Sequence, residues 1–357
     1  MTLDRDLSGW LDGAAPALDA GAAEPAELLR RLSRSGLFRI GAARDAGGAG
    51  GALSSAVEAL AQVSELSLAA GFVTWGHRTY IEYLLQSPNG ALRERLLDGL
   101  FVGEVAGATG LSNAMKFLAG LEELQIVAEP EGDGFRLSGK LPWVTNLQQG
   151  SYVVAAAVER RDGKPFVASI AHDLAGVERS PDLDLMGMRA TATAAIRLSD
   201  VSIARDDVIA PDAQAWLPAV RPAFLGLQCG MSIGLARRTL AEARAAAGAG
   251  RHVLQPEIDA VGERLAAATR ALYDGLDDGS FKGRPAELFR LRIALCDAAT
   301  AAALLELQAN GGKCYLTEPG AGFARRWREA AFLPVITPSL VQLKAALAAQ
   351  RDAGRAA

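Results

Sequence analysis

The chain has 357 residues, half of them hydrophobic and 22% charged, with a formal net charge of -4. That composition suits a globular protein with a large buried core and more than one structural unit, and excludes a disordered chain. The mild acidity offers no basic face for nucleic acid, and no uncharged run approaches the ~18 apolar residues of a membrane-spanning helix.

The first residues, Met1-Thr2-Leu3-Asp4-Arg5-Asp6, are acidic where a signal peptide would be basic. Three cysteines (Cys229, Cys296, Cys314) and three histidines (His77, His172, His252) are widely scattered. They form neither a disulfide framework nor a metal-ligand spacing, so no metal is expected. The expectation is a soluble, cytoplasmic protein with no membrane or nucleic-acid partner.

Residues 1–120 read as a helical domain. Ala26 to Ser35 is amphipathic, with Leu28, Leu29 and Leu32 on one face, and it stops at Gly36. A glycine-rich turn, Asp45 to Gly51, precedes helical segments at Ser54 to Leu68 and Leu92 to Gly99. His77 lies among aromatic residues in Phe72 to Arg78, on a helix of this part.

Residues 121–212 change texture. Leu124 to Ala128, Phe135 to Leu137, Tyr152 to Val158, Pro165 to Ile170 and Ala195 to Leu198 have strand composition. Gly132-Asp133-Gly134 and Asp162-Gly163-Lys164 read as hairpin turns between them. Within this block, Gly139 to Asn146 sets Trp143 two residues before Thr145. A large ring beside a hydroxyl makes a plausible wall for a flat heteroaromatic cofactor, against the alternative of ordinary strand packing.

Residues 213–357 are helical again and rich in Ala, Leu and Arg, with segments at Leu217 to Ala247, Ile258 to Tyr273 and Ala286 to Ala309. Helices, a small β block, then long helices is an α+β order.

That order and three motifs together resemble the acyl-CoA dehydrogenase family. The motifs are the Trp-x-Thr-Asn segment, Leu185-Met-Gly-Met-Arg-Ala-Thr-Ala-Thr followed by Ile196 to Ile203, and Leu307-Gln-Ala-Asn-Gly-Gly-Lys-Cys-Tyr. The resemblance covers most of the chain. It implies an N-terminal helical domain, a middle small β-barrel or sandwich domain, and a C-terminal four-helix bundle. It also implies FAD, a homodimer or homotetramer, an acyl-CoA or acyl-carrier thioester substrate, and electron-transfer flavoprotein or O2 as acceptor. By that resemblance Trp143 stacks near the isoalloxazine and Thr145 reaches its N5 edge. Gln308, Gly311 and Gly312 approach the adenosine end of a neighbouring subunit's FAD.

Four places depart from the family pattern. The flavin-binding segment before the β domain is shortened to Val105 to Asn113, where Thr109 would meet the flavin pyrimidine and Ser112 the pyrophosphate. Arg251 stands where the family has an Arg-x-x-Phe-Gly, without the Phe-Gly. Thr317-Glu318-Pro319 spells a family phrase inside the C-terminal part and reads as a loop. Counting on from Arg328, Thr337 occupies the position of the family's catalytic Glu, and Val220-Arg221 lacks the alternative carboxylate. A neutral hydroxyl cannot take an acyl α-proton at neutral pH.

Thr337, His77 and Arg221 are therefore the candidate catalytic residues. His77 has the competing reading of a satisfied, half-buried histidine, and Arg221 that of a helix-start ion pair. Three functions stay open: a flavin oxidoreductase on an acyl thioester, a flavin-dependent monooxygenase or oxidase on the same scaffold, and a non-catalytic homologue.

Overall fold

Every face of one helix is buried, and the rest of the chain is arranged around it. The computed structural model describes residues 3–118, 120, 122–246 and 250–356, so Met1 and Thr2 of the acidic start, and Ala247 at the end of one expected helix, lie outside the described residues. Helices α1 (Arg5–Ala20), α2 (Pro25–Arg34) and α3 (Leu53–Leu66) lead to the buried helix, α4 (Leu68–Leu85), and then α5 (Gly90–Val102). In α4 all residues from Leu68 to Leu84 are buried. Such a helix carries no amphipathic stripe for a sequence to display. Ser67 opens it as a cap, its hydroxyl accepting from the Ala70 N–H at 3.3 Å.

The β region begins earlier than its composition suggests. β1 (Ala106–Thr109) lies within the stretch read as helical and pairs in parallel with β4 (Tyr152–Arg160). Its small residues, Ala-Gly-Ala-Thr, carry no periodicity; what makes them a strand is pairing with β4 and packing on α4. A short α6 (Ser112–Leu118) follows, then β2 (Ile126–Glu131) and β3 (Gly134–Val144), an antiparallel hairpin around the expected Gly132-Asp133-Gly134 turn. β4 and β5 (Phe166–Ala171) form the second expected hairpin. With β6 (Val177–Arg179), β7 (Ala194–Ile203) and β8 (Val208–Ala210) they make an eight-stranded mixed sheet ordered β6-β7-β3-β2-β4-β5-β8, with β1 on β4.

The chain then forms the long helices α7 (Ala213–Ala245), α8 (Gln255–Asp277) and α9 (Pro285–Asn310), followed by α10 (Ala321–Phe332) and α11 (Leu340–Ala356). Helices N-terminal and C-terminal to a middle mixed sheet are the α+β arrangement read from the sequence. α3 packs lengthwise on α7, where Gly230 and Gly234 bring the helices so close that an added Cβ at Gly234 would lie 2.1 Å from the Ala61 carbonyl oxygen. Against the sequence expectation, one stretch, Ala321–Arg351, is long and apolar enough by length and composition to cross a membrane. Here it folds as two helices broken at Leu333–Val335, with Arg325 and Glu329 in a buried ion pair at 2.7 Å.

Most polar groups buried on α4 find partners on neighbouring elements or on the helix itself; Arg78 Nε and Thr79 Oγ1 have none among the described residues. The Gly107 N–H donates to His77 Nδ1 at 3.0 Å, which fixes the proton on Nε2, and Nε2–H donates to the Leu100 carbonyl at 2.8 Å. Asn146 Nδ2 donates to the Gly107 carbonyl at 2.9 Å and is itself held by Gln148. Arg78 pairs with Glu82 one turn on, at 2.8 Å. His77 is thus a fully buried, satisfied, neutral residue that ties α4 to α5 and β1. Its expected place at a flavin face is corrected: both ring nitrogens are engaged within the protein.

Burial pushes the His77 pKa down from 6.5 to about 4. The unfolded chain therefore binds an extra proton between those values. The neutral imidazole contributes stability that is complete above pH 6.5 and is lost as pH falls toward 4, amounting to about 3 kcal/mol. His77→Gln can keep both hydrogen bonds without titrating. Urea unfolding of wild type and variant should give a stability difference that moves in favour of the variant on going from pH 7 to pH 4.5; a pH-independent difference would contradict the assignment.

Candidate functional site

A cavity of about 580 Å³ opens where the N-terminal helices, the sheet and the last helices meet. Its strand side carries Thr109, Ser112, Trp143, Thr145 and Thr193, and its helix side Phe72, Trp75, Arg328, Phe332, Ile336 and Thr337. Five of the residues picked from the sequence (Trp143, Thr145, Thr109, Ser112 and Thr337) thus share one wall or the other.

Trp143 owes its position to a bulge. β3 pairs with β7 at Leu141↔Ile196 and at Val144↔Ala194, so β3 holds one extra residue across Pro142-Trp143. Proline has no N–H for the ladder and suits a bulge, and the bend turns the indole outward. The ring is 62% exposed, unusual for a tryptophan in a strand, and available as a flat surface on the cavity. Thr145, by contrast, is buried; its hydroxyl shares a hydrogen bond with Thr193 Oγ1 at 2.7 Å, and Thr193 shares another with Thr191 at 2.8 Å. Thr109 pairs with the Tyr83 hydroxyl at 2.7 Å.

The rim between Leu185 and Ala192 is conformationally costly. Met188 (φ 55°) and Ala192 (φ 47°) both have left-handed backbones, as does Asn146 (φ 63°) at the end of β3. Such positions in residues other than glycine persist only where surrounding bonds hold them, and they concentrate at binding sites. The holding bonds are visible here. The Asn146 N–H donates to the Thr191 carbonyl and the Leu147 N–H to the Ala192 carbonyl, each at 2.9 Å. The Met188 N–H donates to Asp19 Oδ1 at 2.8 Å, and the other oxygen of Asp19 receives Arg328. Asp19 is buried, so α1, the 185–192 loop and α10 are joined at one carboxylate.

Thr337 sits on the loop after α10. Gln228, fully buried on α7, donates to the Thr337 carbonyl at 3.1 Å and accepts from Arg292 Nε at 2.8 Å. Arg292 Nη2 donates to the Leu333 carbonyl at 2.8 Å. The loop is fixed through its backbone, leaving the Thr337 side chain to the cavity. The carboxylate among the cavity-lining residues is Glu122, which pairs with Lys116 at 2.6 Å. That hydrogen bond and charge lower its pKa, so it stays ionised and engaged.

The other candidates lie elsewhere. Arg221, half-buried on α7, places its guanidinium 5.3 Å over the Phe289 ring, and burial lowers its pKa. It does not line the cavity, and among the described residues it has no carboxylate partner in place of the expected helix-start ion pair. Gln308, Gly311 and Gly312 stand at the end of α9, with Gln308 exposed. Gly311 has φ 61°, a conformation that favours glycine, and an added Cβ would lie 3.3 Å from the Arg251 guanidinium. Arg251 donates to the Ala309 carbonyl. These four residues form a second group that does not line the cavity of the same chain.

Apart from Thr337, the reading from sequence did not pick out the helix side. Phe72 and Trp75 stand at i, i+3 on α4, their rings stacked at 5.5 Å and 4°, and Phe332 meets Phe72 edge-on at 4.9 Å. Arg328 and Phe332 are one turn apart on α10. The i, i+3 and i, i+4 spacings lie in the sequence, but aromatic rings at helical spacing read as core.

No family model matches the chain. It is 24% identical over 230 residues to the short-chain-specific acyl-CoA dehydrogenase of Clostridium acetobutylicum, a match covering 62% of this chain and 60% of that protein. A solved glutaryl-coenzyme A dehydrogenase, in complex with glutaryl-CoA, superposes with a TM-score of 0.83 at 18% identity, over 98% of this chain and 96% of that one. The chain has the acyl-CoA dehydrogenase fold. KijD3, solved with FMN and a dTDP-amino-keto sugar, has the same fold at a TM-score of 0.80 and 21% identity, over 97% of this chain and 91% of that one. The chain spans between 44% and 64% of the length of the curated relatives it matches.

Gln228→Met should release the Thr337 carbonyl and leave Arg292 with one acceptor fewer in a dry interior. The expected cost is about 2–3 kcal/mol in chemical unfolding, with faster amide exchange confined to residues 333–337. Unchanged exchange there would show that the loop is held by something else.

Proposed function

We propose that this acyl-CoA dehydrogenase-like chain is a flavin-dependent oxidoreductase acting on an acyl thioester carried by CoA or a carrier protein, with the flavin ring on the strand side of the cavity. The observation that carries this reading is Trp143: a bulge turns a large flat ring out of a strand and onto the cavity, beside the Thr145–Thr193–Thr191 hydroxyls. Those features fit an isoalloxazine, whose faces stack and whose edge nitrogens and carbonyls take hydrogen bonds. Bound there, a flavin supplies a two-electron acceptor. FAD is the family's usual form. Gln308, Gly311 and Gly312 suit the adenosine end, and Arg251 the pyrophosphate, of a FAD held by a second subunit, which asks for a homodimer or homotetramer.

The chain's own part in such a reaction is to hold and orient. Trp143 covers one face of the ring, Thr109 presents a hydroxyl to its pyrimidine side and Ser112 one to the pyrophosphate, and the apolar helix side excludes water from the reacting end. Removal of an α-proton from the substrate needs a base. Thr337 has a neutral hydroxyl, and Glu122 is engaged by Lys116. This favours the second reading, a monooxygenase or oxidase in which O2 is the co-substrate and no carboxylate base is needed. A non-catalytic homologue has less support, because a chain without flavin has no physical need for an outward-turned tryptophan in a bulge.

The purified protein should absorb in the flavin bands, and chromatography of the released cofactor should separate FAD from FMN. Trp143→Leu should weaken flavin binding by roughly tenfold, the scale of one ring contact; a colourless protein that ignores added flavin defeats the proposal. Thr337→Glu should accelerate exchange of the α-proton of an acyl-CoA into deuterated water. Fast exchange by the wild type would reveal another base and count against the role given to Thr337.

A further inference from the structure

The helix side of the cavity is chemically unlike the strand side. Three aromatic rings (Phe72, Trp75 and Phe332) make an angled box from one stacked and one edge-on pair. Stacked and edge-on partners are both favourable for another ring. Beside them stands Arg328. One of its amino nitrogens is held by Asp19, and Nε has no partner among the described residues. Nε is itself buried, while the side chain as a whole is 34% exposed and lines the cavity. Gly187, also in the wall, leaves room for it: an added Cβ would sit 3.3 Å from Nε.

The charges of this wall cancel in pairs. Arg328 is matched by Asp19, and Lys116 by Glu122. A donor in a neutral pair suits an uncharged acceptor, such as a thioester, amide or ketone carbonyl, better than a free carboxylate, whose charge would stand uncompensated in an apolar chamber. Arg328 and Phe332 lie one helical turn apart, about 5–6 Å, so the acceptor oxygen and the ring must be separated by a short spacer.

We infer that Arg328 is a specificity-determining residue, donating to a carbonyl oxygen of a substrate whose aryl group packs against Phe72, Trp75 and Phe332. This rests on the reading that places flavin on the opposite, strand side. It adds the substrate class, an aryl-bearing acyl compound uncharged at the end inside the cavity. Asp19 fixes the guanidinium, so the donor is in place before the ligand arrives.

The test is calorimetric binding of hydrocinnamamide, hydrocinnamate and hexanamide to the protein as purified, its flavin content read by absorbance in the same sample. Hydrocinnamamide should bind about tenfold more tightly than hexanamide and more tightly than hydrocinnamate. Phe332→Leu should narrow the gap between the aryl and aliphatic amides. Arg328→Lys keeps a cation for Asp19 but loses the planar fork. It should weaken hydrocinnamamide about fivefold with the melting temperature nearly unchanged. Equal affinities for the two amides, tighter binding of the carboxylate, or an Arg328→Lys protein that melts and binds like wild type would each overturn the inference. If Arg328→Lys unfolds early, Phe332→Leu still decides the aryl part and the amide-to-carboxylate ratio the carbonyl part. A colourless protein with the expected ligand profile would fail the flavin reading alone; a yellow one with a flat profile would fail this inference alone.

Discussion

A helix buried on every side needs partners inside the protein for most of its polar groups, and α4 is built around that constraint. His77, Arg78, Tyr80, Glu82 and Tyr83 are all buried there. Their partners come from α5, β1, β5 or α4 itself. The Tyr80 hydroxyl meets Ser169 at 2.6 Å and the Tyr83 hydroxyl meets Thr109. Because those partners belong to the sheet, the helical part and the β part cannot be separated without orphaning groups that water does not reach. Phe72 and Trp75, at the cavity, project from the same helix. The floor of the site is therefore as rigid as the centre of the molecule.

The opposite walls are fastened at points. One buried carboxylate, Asp19, gathers α1, the 185–192 loop and α10, while Gln228 and Arg292 hold the backbone beyond α10 from below. The Asp19 node connects parts of the chain about three hundred residues apart. The cavity is thus a product of tertiary assembly: no single element contains even half of it.

Much of the fold was legible because amphipathic stripes and turn residues are local. The hairpin turns at Gly132 to Gly134 and Asp162 to Lys164, the stripe of Leu28, Leu29 and Leu32, and the long C-terminal helices all announce themselves within a few residues. α4 and β1 did not. A helix surrounded by protein has no polar face, and Ala-Gly-Ala-Thr becomes a strand only beside β4. The strand side of the cavity could be read from Trp143 and Thr145, a ring and a hydroxyl close in sequence. Of its helix side Thr337 could be read, but Arg328 becomes conspicuous only when Asp19 is seen to hold one edge of it. His77 shows the reverse: an isolated histidine among aromatics looked chemical, and Gly107 and Leu100 turned it into a joint.

The uneven fastening of the cavity divides its walls by how freely they can diverge. Substitutions at Phe72 or Trp75 fall on the central beam and would be felt through the whole core. Met186 and Val335, on the rim, are 77% and 62% exposed, belong to a loop and a turn, and pack against little. New substrate ranges on this scaffold are accessible through those rim positions, by directed evolution or by drift, while the ring-lined floor stays as it is.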